Sequence, residues 1–598
     1  MKLYYNPVDT DCKSIIGAVK VYQKIKFCVF FDCSDFCNMM IVDDIGGETV
    51  YPMTWQDDKY CCEVTFSKTG LYFYYFNINH RLVGRGNLRK AEFDNAEKYQ
   101  ILVHTKYYET PLWLKGGIIY QIFPDRFCKD GSNAIGKDKI LRDDWGDVPQ
   151  FLPDQNKKIK NNDFFGGNLK GIISKINYLK SLNVKAIYLN PIFEAYSNHR
   201  YDTGNYLKID SLLGDEKDFK KLIDKCEKNG IKIIIDGVFN HTGDDSIYFN
   251  KYGKYSDTGA YQSKNSKYYQ WYSFLNYPEV YESWWGIKTL PQVKKNNKSY
   301  LEFITGKNGV IEHWLNLGVC GVRLDVADEL PDSFISEIRK AVKRTNKEAI
   351  IIGEVWEDAT NKISYNVRKK YFQGNGLDSV MNYVLKDAII STVLFCDTSF
   401  FKEAVLQLID NYPKIVLDNL MNILGTHDTS RILTVLSGKV LATKQEKSIY
   451  KLNETERKTA FNRFKFATVL LYTVFGVPCI YYGDEIGMEG FEDPFNRKCY
   501  PWGYEDKNFV SWFKTLGKLR DKPEFIDGDY KELYSDKQCI VFERRKGKRA
   551  VTTAINLGES IYHLNFKGEI IDLLTNIKYF DKFCLKGESM AVLCDNND

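Results

Sequence analysis

Nothing in the 598 residues is apolar for long enough to cross a membrane. The longest uncharged run, 466–482, is broken by Gly476 and Pro478. No signal peptide is expected, because Asp9 and Asp11 stand where its apolar segment should lie. Neither sign of charge is in excess: 83 basic and 78 acidic side chains leave +5. No basic cluster marks a nucleic-acid binder. The 15 cysteines are odd in number and scattered, with Cys61 beside Cys62. That spacing suits disulfides poorly and predicts a reducing, cytoplasmic setting. Cys33 and Cys37 have no second pair or histidine beside them, so they read as structural. Internal repeats and low-complexity segments are lacking too.

What is present is ordinary for a soluble globular chain, 44% hydrophobic and 27% charged. The length predicts two to four domains. Aromatics are plentiful at 15%, with 41 Tyr and 10 Trp. Planar rings suit sugar binding and cores equally.

Residues 1–106 read as β, with 26–31 strand-like and 61–66 and 71–76 flanking a Ser67-Lys68-Thr69-Gly70 turn. A small N-terminal β-sandwich is expected. From Gly117 short apolar strands alternate with amphipathic helices. Phe219, Leu222, Ile223 and Cys226 make one helical face, stopped by Gly230. Ile311, Trp314 and Leu315 make another, and Phe334, Ile338 and Val342 a third. Strands fit 118–123, 184–189, 231–238, 319–325, 349–353, 378–383, 420–425 and 477–482. Eight β-then-α units over 107–524 predict a closed (β/α)₈ TIM barrel. A doubly wound sheet is the runner-up, but no Gly-x-Gly-x-x-Gly follows the first strand. Residues 241–303, after strand three, are rich in Tyr, Trp, Asn and Lys without a clear period, and read as an inserted subdomain. Residues 525–598 return to short strands and read as a C-terminal β-sandwich domain.

The stretch Gly321-Val322-Arg323-Leu324-Asp325-Val326-Ala327-Asp328-Glu329 organises the chain. Arg323 and Asp325 interrupt a buried strand and face the same way. A buried charge is costly unless paired or used, so the choice is a structural ion pair or a site. Barrel chemistry sits at the C-terminal ends of the strands. Strand two ends near Asn190-Pro191, and its loop carries His199, Tyr201 and Asp202. Strand three ends in Asp236-Gly237-Val238-Phe239-Asn240-His241, strand five in Glu354-Val355-Trp356, strand seven in Thr426-His427-Asp428. Three of the seven histidines fall at these ends or in that loop. Singly each residue has a structural reading: Asp236 as partner of Arg323, His199 or His241 as packing, Glu354 as a loop cap, Asp428 as an N-cap. Together, three carboxylates at strands four, five and seven repel one another and call for a use. Neighbouring strands lie about 4.8 Å apart, compatible with the ~5–5.5 Å carboxyl separation of retaining glycosidases. A metal is the competing use. Arg323 beside Asp325 argues against it, and no His-x-x-x-His or His/Cys spacing supports it.

These motifs, with Leu424-Gly425-Thr426-His427-Asp428-Thr429-Ser430-Arg431, resemble those of the α-amylase family of glycoside hydrolases. Tyr120-Gln121-Ile122-Phe123-Pro124-Asp125-Arg126-Phe127 and Gly483-Asp484-Glu485-Ile486-Gly487-Met488 are similar to its neopullulanase, cyclomaltodextrinase and maltogenic-amylase branch. The similarity runs from about residue 112 to the C-terminus, and the N-terminal domain looks short for the branch. The resemblance implies that Asp325 is a nucleophile, Glu354 an acid and then base, and Asp428 a third carboxylate bonding the sugar hydroxyls. Arg323 is expected to keep Asp325 ionised. His241 and His427 would be sugar-binding donors, Tyr201 the ring under the sugar, and Trp356 a residue of the leaving-group side. Asp493 and Arg497 match a pair closing the far side, and Glu329 a position near the acceptor. The sequence departs at Thr289-Leu290-Pro291-Gln292-Val293, where the branch shows Met-Pro-Lys-Leu-Asn, and at Asp328, where Asn is common. The implied activity is a retaining hydrolase cleaving α-1,4-glucosidic bonds in maltodextrins, cyclodextrins or pullulan by double displacement. A 4-α-glucanotransferase or an α-1,6-glucosidase of the same family is the alternative, and intact carboxylates weigh against a non-catalytic glucan binder. No cofactor is required. Calcium is a weaker expectation, with partial matches at Asp130, Asn133 and Asn168. Expected partners are α-glucan oligosaccharides, without nucleic acid or membrane; some of the branch form homodimers through the N-terminal domain, and the short domain here leaves both a homodimer and a monomer open.

Overall fold

The computed structural model describes residues 3–32, 36–155, 157 and 159–595. Cys33 lies outside these residues, and with it the reading of the Cys33–Cys37 pair. Near the N-terminus two sheets face each other. The larger runs in the order Val19–Lys20, Tyr99–His104, Gly70–Ile78, Cys37–Val42, Glu48–Pro52, with Arg81–Arg85 and Ala91–Phe93 joined beside Gly70–Ile78. The smaller is Lys24–Val29, Lys59–Thr65 and Thr54–Gln56. Alternation supplies the core between them. Ile25, Phe27 and Val29 of the smaller sheet pack in one cluster with Tyr74, Phe76, Ile101 and Val103 of the larger. Cys28 and Cys61 sit directly opposite across two antiparallel strands and are joined by a disulfide. The reading of the cysteines as unsuited to disulfides is corrected at this pair, because register brings together two residues whose sequence spacing is uninformative.

Eight parallel strands then close into a barrel: β1 Ile119–Ile122, β2 Ala186–Leu189, β3 Lys232–Gly237, β4 Gly321–Leu324, β5 Ile350–Gly353, β6 Ser379–Asn382, β7 Met421–Asn422 and β8 Val477–Tyr481, with β8 paired back to β1. All eight predicted strands are present, and closure excludes the doubly wound alternative. The helices follow their apolar faces. Glu216–Glu227 buries Phe219, Leu222, Ile223 and Cys226, and the Asp215 side chain caps it by accepting from the Asp218 N–H at 2.9 Å. Asp332–Thr345 buries Phe334, Ile338 and Val342.

Strand parity decides which residues enter the barrel. Ile234, Ile350 and Ile352 belong to its interior cluster, whereas Ile233, Ile235, Val322 and Ile351 pack outward against the helices. Counting by two from the inward residues places Asp236, Arg323, Asp325 and Glu354 on the inner side. Four charged positions thus converge at one mouth because of a period of two.

The segment after β3 holds only short elements, the strands Phe274–Asn276 and Val280–Tyr281, the 3-10 turns Tyr269–Trp271 and Trp284–Gly286, and the helix Lys298–Thr305. Its stability comes from rings, with Tyr248, Phe249, Trp271 and Tyr272 buried together. That accounts for its lack of period in the sequence. Near the C-terminus a six-stranded antiparallel sheet packs Ile540, Phe542, Ile555 and Val592 into the same core as the barrel helices. Among the described residues no helix is long and apolar enough to cross a membrane.

The N-terminal sheets are tied to the barrel by a buried ionic triad. Lys13 Nζ lies 2.8 Å from Asp410 Oδ1, and Arg89 Nε donates to Asp410 Oδ2 at 2.9 Å. All three side chains are essentially inaccessible, and the two cations hold the Asp410 carboxyl below its ordinary range despite its burial. Asp410→Ala would strand two cations in the interface. It is expected to destabilise the chain by about 3–5 kcal/mol, seen as a lowered midpoint in denaturant. A midpoint unchanged within error would contradict the triad.

Candidate active site

The β4–β5 register pairs Leu324 with Gly353, so Asp325 and Glu354 come one step later on neighbouring strands. A single guanidinium lies between them. Arg323 Nη1 donates to Asp325 Oδ1 at 2.8 Å and to Asp236 Oδ1 at 2.8 Å. Arg323 Nη2 stands 2.9 Å from Glu354 Oε2, an ion pair without hydrogen-bond alignment. Asp236 is therefore the partner of Arg323, as its position predicts. Val326 turns sharply after Asp325, at φ 40°. The left-handed region is unfavourable for a β-branched residue, at a cost of about 1–3 kcal/mol. The turn aims its N–H at Glu354 Oε2, 2.8 Å away. Trp356 Nε1 donates to the other oxygen, Oε1, at 3.3 Å, and its half-exposed ring stacks on Tyr383 at 4.1 Å.

One guanidinium faces three carboxyl groups. Burial, followed by the Glu354 and Asp236 charges, pushes the Asp325 carboxyl well above its ordinary range, with Arg323 pulling the other way. The expectation that Arg323 keeps Asp325 ionised is thus only half the balance: desolvation is the larger effect.

Tyr201 links two walls of the site. Its hydroxyl donates to Asp236 Oδ2 at 2.8 Å and meets His427 Nε2 at 2.6 Å, while its ring stacks on His427 with centroids 5.2 Å apart. Gln121 Nε2 lies 3.0 Å from His427 Nδ1. Because the amide can only donate there, the network assigns the proton to Nε2. Burial depresses His427 well below its ordinary value and His241 and His199 to about 3, so all three are neutral imidazoles near pH 7. His241 Nε2 contacts the Tyr201 carbonyl at 3.1 Å. His199 Nδ1 accepts from the Tyr201 N–H at 3.1 Å and so braces the loop.

Asp428 closes the group. Its oxygens lie 3.1 Å from His427 Nε2 and 3.3 Å from Arg497 Nη2, and Arg497 Nη1 pairs with Asp493 at 3.0 Å. Burial first, then the Glu354 and Asp493 charges, push the Asp428 carboxyl up to about 7 against Arg497 and Arg323. The folded state therefore holds this proton more tightly than the unfolded chain. Its stabilisation is complete below about pH 4 and is lost as pH rises through about 7. A third of the Asp428 side chain is open to solvent, which screens this effect. Asp428→Asn is expected to stabilise the fold by at most about 1 kcal/mol at pH 8 and by less at pH 4.5, as read by calorimetric melting. Equal shifts at both pH values would contradict this.

Glu329 is held by neutral donors: Asn240 Nδ2 at 3.3 Å, Trp284 Nε1 at 3.0 Å and Trp285 Nε1 at 2.8 Å. Asp328 meets Lys362 at 3.4 Å, joining the loops after β4 and β5. The sequence reading missed Tyr188, which donates to Asp236 at 2.7 Å, and Tyr383 beneath Trp356. It also assigned no role to Gln121 or to Asn190, whose Nδ2 donates to the Tyr201 hydroxyl at 3.0 Å. Both stand in strand-end motifs, which is the signal that could have found them.

The calcium candidates are engaged otherwise. Asn168 Oδ1 accepts from the Gly171 N–H at 2.8 Å, and its Nδ2 donates to the Asp130 carbonyl at 2.9 Å. Asn133 Nδ2 donates to the Leu212 carbonyl at 2.9 Å. Among the described residues no cluster of three or more His, Cys, Asp or Glu could hold a metal ion. These three residues offer one carboxylate and a loop braced by amides, which does not fit a calcium cage of 6–8 oxygens.

The chain is similar to known proteins over its barrel. The model of the alpha-amylase catalytic domain matches residues 121–538. An amylopullulanase of Thermoanaerobacter thermohydrosulfuricus is 38% identical over 522 residues, 79% of this chain but 34% of that protein. A cyclomaltodextrinase of Thermoanaerobacter pseudethanolicus is 32% identical over 452 residues, 75% of this chain and 71% of the relative. The chain thus spans about a third of the length of the amylopullulanase. The structure of the type III pullulan hydrolase from Thermococcus kodakarensis shares the fold, at 24% identity and TM-score 0.69, covering 99% of this chain and 100% of that one. From the match of its barrel and the identity to these relatives, the chain belongs to the alpha-amylase family.

Proposed function

We propose that the chain is a retaining hydrolase of α-1,4-linked glucans, with maltodextrins, cyclodextrins or pullulan as substrates. The observation that carries this is Arg323 joined to both Asp325 and Glu354 on adjacent strands. Burial and the neighbouring carboxylates push the Asp325 carboxyl up, and Arg323 pulls it down. The aligned bond from Arg323 to Asp325, against its unaligned approach to Glu354, favours charge on Asp325. Retaining chemistry needs this division. The Asp325 carboxylate attacks the anomeric carbon while Glu354 passes its proton to the departing glycosidic oxygen. A β-linked glycosyl ester forms on Asp325. Glu354, now a carboxylate, takes a proton from water, whose oxygen attacks the same carbon and restores the α configuration. Asp428, His427, Arg497 and His241 bind sugar hydroxyls, and Tyr201 lies under the ring. Both steps use carboxyl groups and water, so the proposal assigns no cofactor.

The substrate class rests on relatives named amylopullulanase, cyclomaltodextrinase and neopullulanase. A cytoplasmic setting with short glucans belongs to the same proposal, and the Cys28–Cys61 bridge is the observation against it. Proton NMR of the first products from maltotriose tests the stereochemistry: α-maltose is expected, and initial β product would end the proposal.

A further inference from the structure

Of the ten tryptophans, Trp285 is the most exposed, at 77%. It is nonetheless firmly placed. Its backbone is in the left-handed region at φ 49°, a costly conformation outside glycine. Its indole N–H is bonded to Glu329 Oε1, the oxygen that also accepts from Trp284. The rings form a ladder rising from the site floor: His241 on Trp284 at 5.2 Å and 23°, then Trp284 on Trp285 at 5.1 Å and 24°. The loop is stapled at its base. Trp284 N donates to the Leu290 carbonyl at 2.9 Å, and Gln292 bridges to His241. An exposed indole buries little apolar area here, so packing does not explain a strained backbone and a carboxylate committed to holding it.

The side of the cleft follows from the acid. Glu354 protonates the leaving oxygen, so sugars released or accepted lie on its side. The Val326 N–H that meets Glu354 leads directly into 327–329, and Lys362 of the following loop pairs with Asp328. Arg497, Asp493 and Asp428 form a separate ion-paired group that meets His427 in the loop after β7. Tyr365, 72% exposed, stands at the tip of the hairpin Ile363–Ser364 and Val367–Arg368; partial burial first, then the charges of Glu329 and Asp328, raise its phenol.

We propose that Trp285, carried on the His241–Trp284 stack and pinned by Glu329, is an acceptor-side platform on which a glucosyl ring beyond the leaving-group sugar stacks. Its ligand is neutral: the C–H face of an α-glucan unit against the indole. This rests on the hydrolase reading above, and it makes Trp285 a specificity determinant for chain length and for transfer to sugar acceptors.

Two substrates separate the platform from the chemistry. Maltohexaose places sugars on the acid side, whereas α-maltosyl fluoride has only a fluoride there. Trp285→Ala is expected to lower kcat/KM at least about fivefold more on maltohexaose than on α-maltosyl fluoride. It should also reduce transfer to added maltose. Trp285→Phe should recover part of the loss, and Glu329→Ala, which frees both indoles, should reproduce it. Equal losses on the two substrates would overturn the proposal. Calorimetric titration of the full chain with maltohexaose separates the two readings: tight binding unchanged by Trp285→Ala removes the platform alone. A wild-type chain that neither binds nor cleaves maltohexaose removes the hydrolase reading and the platform with it.

Discussion

Replacing Asp325 with alanine is expected to lower turnover of maltotriose by about 10⁴-fold or more, since no other group in the site can form the glycosyl ester. The fold should survive. Arg323 keeps Asp236 and Glu354 as partners, and the removed carboxyl is one whose burial opposes ionisation. The loss has a chemical signature beyond its size. The missing carboxylate leaves room on the β face of the sugar, so azide added with α-maltosyl fluoride should attack there and give the β-maltosyl azide. A merely structural aspartate would give slower hydrolysis without that product. Activity of Asp325→Ala within tenfold of wild type would leave the mechanism without its nucleophile.

The second large effect is at Glu354, and it differs by step. Glu354→Gln keeps the side-chain shape and one acceptor oxygen, enough for either the Val326 N–H or the Trp356 indole, which in the wild type meet separate oxygens. It cannot donate or take the proton. On maltotriose a loss of about 10³-fold is expected, within the range of general acid catalysis. With α-maltosyl fluoride the first step needs no acid, while the second still lacks its base. A burst of fluoride equal to the enzyme present should precede a slow steady rate. Proportional slowing on both substrates, without a burst, would give Glu354 a structural role only.

The fold was legible because its signals are local. Runs such as 231–238 and 349–353 announce strands, and the i, i+3, i+4, i+7 face from Phe219 to Cys226 announces a helix. The carboxylates were legible for a related reason: a charge at the end of an apolar strand must be paired or used, and parity then aims it inward. What stayed hidden depends on long-range side-chain meetings. Asp410 finds Lys13 and Arg89 across more than three hundred residues. Glu329 finds two indoles forty-five and forty-four residues earlier. Cys28 and Cys61 meet only because a strand register sets them opposite. The ionisation of Asp325 was half legible. Arg323 is visible beside it in sequence, but the burial that outweighs Arg323 appears only once the barrel closes.

Mass spectrometry of Glu354→Gln quenched during turnover of α-maltosyl fluoride tests the account most directly. The predicted result is one maltosyl unit per chain, attached to the peptide that contains Asp325 and released when azide or water is given time to act. An unlabelled protein under burst conditions, or a label on any other carboxylate, would contradict it.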